Sequence, residues 1–116
     1  MKSKPTQRVK KIKDCPFCPM FKKTRKNIID IEPLNPVVKG HRIVIPRRHV
    51  KDFSDDPMVT AQVMHYVAQL GKKVRYANII ASKGIPATQS VFHLHVHIIP
   101  LKIWRKKNPK RSIKSS

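Results

Sequence analysis

The chain has 116 residues, 40% of them hydrophobic, which is enough for one domain with one modest core. It contains no apolar stretch near the roughly 20 residues that a membrane-spanning helix needs, and no apolar run follows its basic N-terminus. Neither a membrane protein nor a secretory signal is indicated, so a cytoplasmic protein is the default expectation. The 26 basic and 6 acidic residues give a formal net charge of +20, which favours a polyanionic partner.

The positive charge is concentrated at the two ends of the chain. Residues 1–26 and 102–116 together hold 17 basic residues and one acid, a net charge of +16, whereas residues 27–101 have a net charge of only +4. We predict a basic, disordered tail over 1–13, a folded domain over 14–101 and a second basic tail over 102–116. The tails are expected to bind nucleic acid without sequence specificity, because phosphate contacts release counterions. The alternative is that they only keep the protein soluble.

Hydrophobic periodicity and chain breakers predict the elements in chain order. A proline-stiffened turn comes first, and it is followed by two strands, one helix and two more strands. The predicted ranges are 15–19 for the turn, 27–31 and 41–46 for the first two strands, and 76–81 and 90–100 for the last two. Because helices and strands do not alternate strictly, we expect an α+β fold with an antiparallel sheet of about five strands and one main helix.

The helix is indicated between residues 54 and 71. Ser54 is a candidate N-cap, Asp55 and Asp56 would place acidic residues in the first turn, and Pro57 comes early, as is typical of helix starts. Apolar residues then recur at helical spacing, and Gly71 is the expected stop.

The last predicted strand alternates histidine with aliphatic residues. Alternate side chains of a strand share a face, so one face would present three imidazoles and the other would pack against the core. The imidazoles belong to His93, His95 and His97, and the apolar face to Leu94, Val96 and Ile98. From spacing alone, this pattern indicates either a three-histidine metal site or a catalytic face.

Cys15 and Cys18 form a Cys-x-x-Cys pair, which in many zinc sites combines with two later histidines. A redox role is less favoured, because the pair follows a basic tail and not a strand of a βαβ unit. The other two ligands would come from the six histidines of the chain. If His93 is one of them, zinc anchors the strand next to His95 without blocking it, in a closed and therefore structural site.

Together these motifs resemble the histidine-triad family. Residues 93–99 are similar to its signature of three alternating histidines, and residues 40–49 resemble its second block. Gln89 and Ser90 precede the triad as they do in the family, and the cysteine pair resembles its zinc-binding branches. The resemblance covers roughly residues 14–101. It implies the histidine-triad fold and a homodimer, with the helix and the strand over 76–81 as the contact surface.

The resemblance also implies a reaction. In the family the middle histidine is the nucleophile, which here is His95, and it attacks the α-phosphorus of a purine nucleotide conjugate to form a nucleotidyl-histidine that water hydrolyses. The conjugate is a phosphoramidate, an adenylate or a dinucleoside polyphosphate. His97, Gln89 and Ser90 match positions that contact the phosphate or the leaving group. The structural zinc is expected on Cys15, Cys18, His49 and His93.

The resemblance implies the nucleoside contacts less specifically than it implies the reaction. The family often holds the ribose with an acidic or amide residue before the second block, for which Glu32, Asp30 and Asn35 are candidates. Ile12, Phe17 and Ile31 could form a slot for the base, although core packing explains them equally well. His41 matches a structural position of the family. The chain departs from the pattern at Ser82, where many members have asparagine, and at Ala87-Thr88, which replace small residues.

Two other classes of function stay open on the sequence. One is a non-catalytic, zinc-containing module that binds nucleic acid through its basic tails. The other is a catalytic metal site that uses all three histidines of the triad as ligands.

Overall fold

The structure, a computed structural model, describes residues 15–101. The predicted basic tails and Ile12 lie outside the described residues. The described part is α+β, as predicted: one main helix packs on an antiparallel sheet of four strands, and two short 3₁₀ turns lie in the connections. In chain order these are a 3₁₀ turn (Cys18–Phe21), β1 (Ile28–Ile31), β2 (Arg42–Pro46), α1 (Pro57–Gly71), β3 (Ala77–Ile80), a second 3₁₀ turn (Ile85–Ala87) and β4 (Val96–Pro100).

The sheet has the strand order β1-β2-β4-β3, and every neighbouring pair is antiparallel. The two central strands, β2 and β4, are the most completely buried, as their aliphatic sequences predict. Their register pairs Ile43 with His97 and Val44 with Val96. Continued toward the N-terminus of β4, this register places the triad histidines beside the middle and end of β2, at the centre of the sheet.

Both faces of the sheet are covered. On one face, Val59, Val63 and Val67 of α1 pack against alternate residues of β2 and β4. Residues 15–21, which we call the cysteine turn, cover the other face, where Cys15, Phe17 and Phe21 pack with Ile43 and Ile45. The predicted alternation is confirmed, because the helix-side core includes Leu94, Val96 and Ile98. We call the side covered by the cysteine turn the histidine face.

The last strand is shorter than predicted: it begins at Val96 and not at residue 90. Continuing the ladder toward the N-terminus would place Pro46 of β2 opposite the triad, and proline has no N–H to donate. The backbone at the start of the triad instead hydrogen-bonds to the loop after β2: the Leu94 N–H donates to the Val50 carbonyl at 2.8 Å. His93 and Leu94 are both buried there.

The helix also starts slightly later than predicted. Its N-cap is Asp56, whose carboxylate accepts a hydrogen bond from the Met58 N–H at 3.1 Å, and Pro57 occupies the first turn. Ser54 instead donates from its N–H and hydroxyl to the buried carboxylate of Asp52. The acidic residues therefore precede the first turn and do not lie in it. Within residues 15–101, no helix is long and apolar enough to cross a membrane.

Arg47, just after β2, holds the end of the cysteine turn in place. Its side chain donates to the backbone carbonyls of Phe21, Thr24 and Lys26, and its guanidinium lies 5.1 Å from the centre of the Phe21 ring. One side chain thus satisfies three carbonyls of an irregular segment, which keeps the turn against the sheet.

Candidate active site and metal centre

Four side chains on the histidine face bring their ligand atoms together. They are Cys15, Cys18, His49 and His93, whose ligand atoms all lie within 4.8 Å of one another and could hold a metal ion. The Nδ1 atom of His93 lies 3.3 Å from Cys15 Sγ, 3.6 Å from Cys18 Sγ and 3.1 Å from His49 Nδ1. Cys18 Sγ lies 3.2 Å from His49 Nδ1. These are the four residues expected as ligands from the resemblance.

The cluster has the chemistry that zinc prefers. Ligands at the usual Zn–N and Zn–S distances would be separated by about 3.3–3.8 Å along the edges of a tetrahedron, close to the separations seen here. The Nε2 atom of His93 donates to the Pro46 carbonyl at 2.8 Å, so its Nδ1 faces the cluster without a proton. Burial lowers the pKa of His93 to about 4, which keeps the imidazole neutral. Burial and the neighbouring Cys15 raise the pKa of the Cys18 thiol to about 11 when no cation is bound.

His95 lies between this cluster and the rest of the histidine face. Its Nδ1 is 2.8 Å from the backbone carbonyl of His93, which can only accept, so Nδ1 must carry the ring hydrogen. In the neutral ring, Nε2 then keeps its lone pair. Phe17 of the cysteine turn lies edge-on to the His95 ring, with centroids 5.2 Å apart. These contacts hold the His95 ring in place. Because the residue is only half-buried, the ring is still accessible.

His97 carries its ring hydrogen on the other nitrogen from His95, because a hydrogen bond from His41 fixes its tautomer. The Val37 N–H donates to Nδ1 of His41 at 3.0 Å, so the neutral His41 ring carries its hydrogen on Nε2. That nitrogen lies 2.9 Å from Nδ1 of His97 and donates to it. His97 must therefore carry its own hydrogen on Nε2, which makes it a donor. Burial lowers the pKa of His41, and burial, His95 and His41 together lower the pKa of His97 to about 4.

The loop before the triad is held by Gln89. Its buried side chain accepts a hydrogen bond from the Gly84 N–H at 2.7 Å and donates to the carbonyls of Lys51 and Val91. Gly84 has φ +87°, in the region that favours glycine, and Thr88 adopts a left-handed φ of 71°. Gln89 matches a phosphate-contacting position of the family, and here both ends of its amide are bonded to backbone groups. Ser90, next to it, is exposed.

A model of the HIT domain matches residues 23–103. The chain belongs to the HIT, or histidine-triad, family. Among curated HIT proteins, the Bacillus subtilis Protein hit is 32% identical over 84 residues, covering 65% of this chain. An uncharacterised HIT-like protein of Mycoplasma genitalium is 36% identical over 72 residues, covering 56%. An adenylylsulfatase of Arabidopsis thaliana is 28% identical over 117 residues, covering 84%. The chain spans 51% to 59% of the length of these three relatives.

Solved structures of HIT proteins have the same fold. A histidine triad protein of Clostridium difficile superimposes with a TM-score of 0.68 at 23% identity, covering 77% of this chain and 91% of that chain. A hypothetical histidine triad nucleotide-binding protein of Sulfolobus tokodaii gives a TM-score of 0.67 at 28% identity, covering 74% and 68%. The histidine-triad fold expected from the sequence is therefore confirmed.

The three residues that the resemblance to HIT proteins suggests for ribose binding lie in different parts of the structure. Asp30 lies on the helix face, where its carboxylate pairs with Arg42 at 2.7 Å and accepts a hydrogen bond from the Tyr66 hydroxyl of α1. Although burial favours the neutral acid, these partners hold the pKa of Asp30 below its ordinary value. The structure therefore does not bring Asp30 together with the triad. Glu32 and Asn35 are exposed in the segment that follows β1.

The hydrogen-bonding role of His41 was not predicted from the sequence, which indicated only a structural position. It follows from the register of the sheet: Ile43 of β2 is paired with His97 of β4, so a residue two positions before Ile43 lies diagonally across from that histidine. His65, by contrast, is exposed on α1 beside Gln69 and is not part of the histidine face, as its helical position predicts.

Proposed function

We propose that the protein hydrolyses nucleoside-phosphate conjugates, with Nε2 of His95 as the nucleophile that attacks the α-phosphorus. The observation that supports this most directly is the hydrogen bond from His95 Nδ1 to the His93 carbonyl, since in the neutral ring it leaves the lone pair on Nε2. The relative named an adenylylsulfatase supports a purine adenylate as one substrate. A phosphoramidate, through its P–N bond, and a dinucleoside polyphosphate, through a P–O bond, present the same α-phosphorus for attack.

The reaction proceeds in two steps at one phosphorus atom. In the first, the Nε2 lone pair of His95 forms a bond to phosphorus while the leaving group departs with its bonding electrons, as sulfate or phosphate does in anionic form. An amine leaving group takes a proton from water. In the second step, water adds to phosphorus, the phosphorus–nitrogen electrons return to Nε2, and the proton of water passes to solvent. The product is the nucleoside monophosphate.

His97 stabilises the charge that develops. Its Nε2–H is fixed as a donor by the chain from Val37 through His41, so it hydrogen-bonds an oxygen of the phosphoryl or leaving group without a prior tautomer change. The exposed Ser90 adds a hydroxyl donor, and Gln89 acts by holding the loop that presents it. For the ribose hydroxyls we favour Glu32, with Asn35 as the second candidate, since both are exposed beyond the strand that contains Ile31.

The metal in this proposal is zinc, and its function is structural. Cys15, Cys18, His49 and His93 would hold it, and because all four positions are filled by protein, no open position remains for substrate. The ion would cross-link the cysteine turn to the triad and to the segment after β2.

The test measures release of nucleoside monophosphate from a fluorescent adenosine phosphoramidate and from adenylyl sulfate. We expect turnover by the wild-type chain and a loss of about 10³-fold or more in His95→Ala. His65→Ala, a histidine exposed on α1, is the matched control and keeps full activity. Wild type and His95→Ala that are equally inert on adenylate, guanylate and polyphosphate substrates would show that the proposal is wrong.

A second candidate function is nucleic-acid binding through the basic ends, which the net charge of +16 on residues 1–26 and 102–116 favours. It is compatible with the first, because lysine and arginine side chains can recruit a polyanion without taking part in the chemistry proposed for His95.

A further inference from the structure

A second concave site lies on the helix side of the sheet, away from the histidine face. It is a cleft of about 460 Å³ between the start of β1, the end of β2 and the first turns of α1. This volume is within the roughly 300–1,000 Å³ of ordinary ligand sites. Its apolar surface comes from Ile28, Pro46, Met58 and Val59, and its polar surface comes from Asn27, Arg47, Arg48 and Gln62.

The stretch that directly precedes Asn27 of the cleft is the most cationic of the described residues. Lys22, Lys23, Arg25 and Lys26, which we call the cationic segment, are all exposed, and within residues 15–101 none of the four forms an ion pair. The segment runs directly into Asn27 at the cleft. Arg47 fixes its position, since its backbone N–H donates to the Asn27 carbonyl at 2.7 Å and its side chain donates to the Lys26 carbonyl.

The acidic groups nearby do not cancel this charge. Asp56 pairs with Arg48 at 3.1 Å, but the Arg48 side chain is 71% exposed, and a guanidinium has five donors. Asp30, under the same face, is paired with Arg42 and Tyr66. Asp55 accepts a hydrogen bond from the Lys51 N–H. The opening of the cleft is therefore positive, with an apolar floor and two amide side chains within it.

We propose that this cleft binds single-stranded nucleic acid. The phosphates follow the cationic segment, one base enters the cleft against the apolar floor, and the amides of Asn27 and Gln62 hydrogen-bond its edge. An unstacked base is required, because the bases of a duplex are stacked and cannot enter a cleft of this kind. A lipid surface is disfavoured, because, of the apolar lining residues, only Met58 is strongly exposed, at 70%, whereas insertion into a membrane interface uses a broad apolar face. The site is separate from the histidine face, so it does not depend on the proposed hydrolysis.

The role of the cationic segment is tested with two variants of the full chain. Each loses two lysines and one arginine, but at different positions. Lys22→Gln/Lys23→Gln/Arg25→Gln removes two lysines and one arginine beside the cleft. Lys72→Gln/Lys73→Gln/Arg75→Gln removes the same set after α1, where all three are also exposed. Fluorescence anisotropy with a labelled 12-nucleotide single strand is measured over a range of salt concentrations.

We expect the variant beside the cleft to bind at least about tenfold more weakly at low salt. The slope of log affinity against log salt should fall by about 2, as three lost phosphate contacts imply for a single strand. The control should change less than threefold. Both variants retain the basic residues of 1–13 and 102–116, so equal losses would show that overall charge, not the cleft, determines binding, and the proposal would be overturned.

The base part of the proposal is tested on α1. Gln62→Leu removes the amide from the cleft without changing the charge, and Gln69→Leu makes the same change two turns further along the same helix, at an exposed position. We expect Gln62→Leu to weaken oligonucleotide binding about fivefold or more relative to Gln69→Leu, and to leave binding of inorganic polyphosphate, which has no bases, unchanged. Equal weakening of both probes would exclude base insertion. Tighter binding to anionic phosphatidylserine vesicles than to the oligonucleotide, lost with the cationic segment, would assign the surface to a membrane instead.

Discussion

At the scale of single residues, His41 decides which nitrogen of His97 can donate. Without the His41 Nε2–H, the His97 ring is free to place its hydrogen on Nδ1 and to present a lone pair to the substrate. We expect His41→Leu to lower kcat by about ten- to a hundredfold, within the range of single acid–base contributions, with a smaller change in KM. Steady-state kinetics on the adenosine phosphoramidate measure both constants.

His41→Gln is the conservative counterpart. A glutamine amide can accept from the Val37 N–H and donate to His97, so it should recover a substantial part of the lost kcat. Identical kcat values for the leucine and glutamine variants, at matched thermal stability, would contradict the positioning role.

His97 also makes stability depend on pH. Its pKa in the folded chain is lowered to about 4 from the ordinary 6.5, chiefly by burial, so the unfolded chain binds the proton more readily. This contribution to the free energy of unfolding is complete above about pH 6.5 and is lost as the pH falls toward 4. Between pH 7.5 and 5, the Tm of the wild type should therefore fall further than that of His97→Asn. Equal falls would refute the assignment, since the metal ligands are common to both proteins.

Substitutions at Asp30 and Glu32 distinguish a carboxylate that stabilises the fold from one that we propose binds the nucleotide. Asp30→Asn should lower the free energy of unfolding by about 1–3 kcal/mol, because Arg42 and Tyr66 lose a charged partner, and should leave KM unchanged. Glu32→Gln should raise KM for the nucleotide at unchanged stability. Chemical denaturation and kinetics on the same samples distinguish the two, and a raised KM in Asp30→Asn would count against the placement of the ribose.

At the scale of elements, the cysteine turn has no regular ladder to support it, so the metal cluster should contribute much of its stability. We expect one zinc ion per chain by elemental analysis. Cys15→Ser should lose zinc and about 2–4 kcal/mol of unfolding free energy, on the order of 10 °C or more in Tm. Below its own Tm the variant should keep kcat within about threefold, because His95 is bonded to the carbonyl of His93 and not to its side chain. A zinc-free wild type with intact thiols would overturn the prediction.

The sequence predicted those elements whose residue pattern follows directly from burial. The continuous aliphatic run of β2 indicates a strand covered on both faces, and the alternation around His95 indicates a strand with one apolar face. The length of β4 could not be predicted, because it depends on Pro46 in another strand and on a hydrogen bond to Val50. The metal ligands were suggested by the resemblance, while the histidine tautomers depend on the His93 carbonyl and the Val37 N–H, backbone groups that no side-chain pattern reveals.

At the scale of the whole molecule, the edge strand β3 is the least protected part of the described sheet. All four of its residues are exposed, and Ile79 and Ile80 expose 49% and 46% of their surface, whereas every residue of β1 at the other edge is half-buried. An exposed apolar edge favours association with another chain. We propose a homodimer that buries β3, and the family resemblance implies that α1 contributes to the same contact surface.

Light scattering at micromolar concentration and physiological salt should give twice the 13.4 kDa chain mass. Ile79→Lys should shift the mass toward the monomer, since it buries an unpaired charge in the interface. Ile85→Lys makes the same substitution at a more exposed position outside β3 and should leave the dimer intact. A monomeric wild type would contradict the proposal. Low salt should weaken association, because protomers of charge +20 repel each other.

The way the cysteine turn covers the sheet has a consequence for local unfolding. A segment fastened by one arginine, a four-ligand cluster and a few apolar side chains can open at a lower free energy than the sheet beneath it. Because Phe17 lies against the ring of His95, each opening removes one wall of the nucleophile's surroundings while the strands stay folded. Amide hydrogen exchange within residues 17–24 would therefore report how often Phe17 leaves the His95 ring, independently of global unfolding. The exchange should accelerate when the metal is chelated.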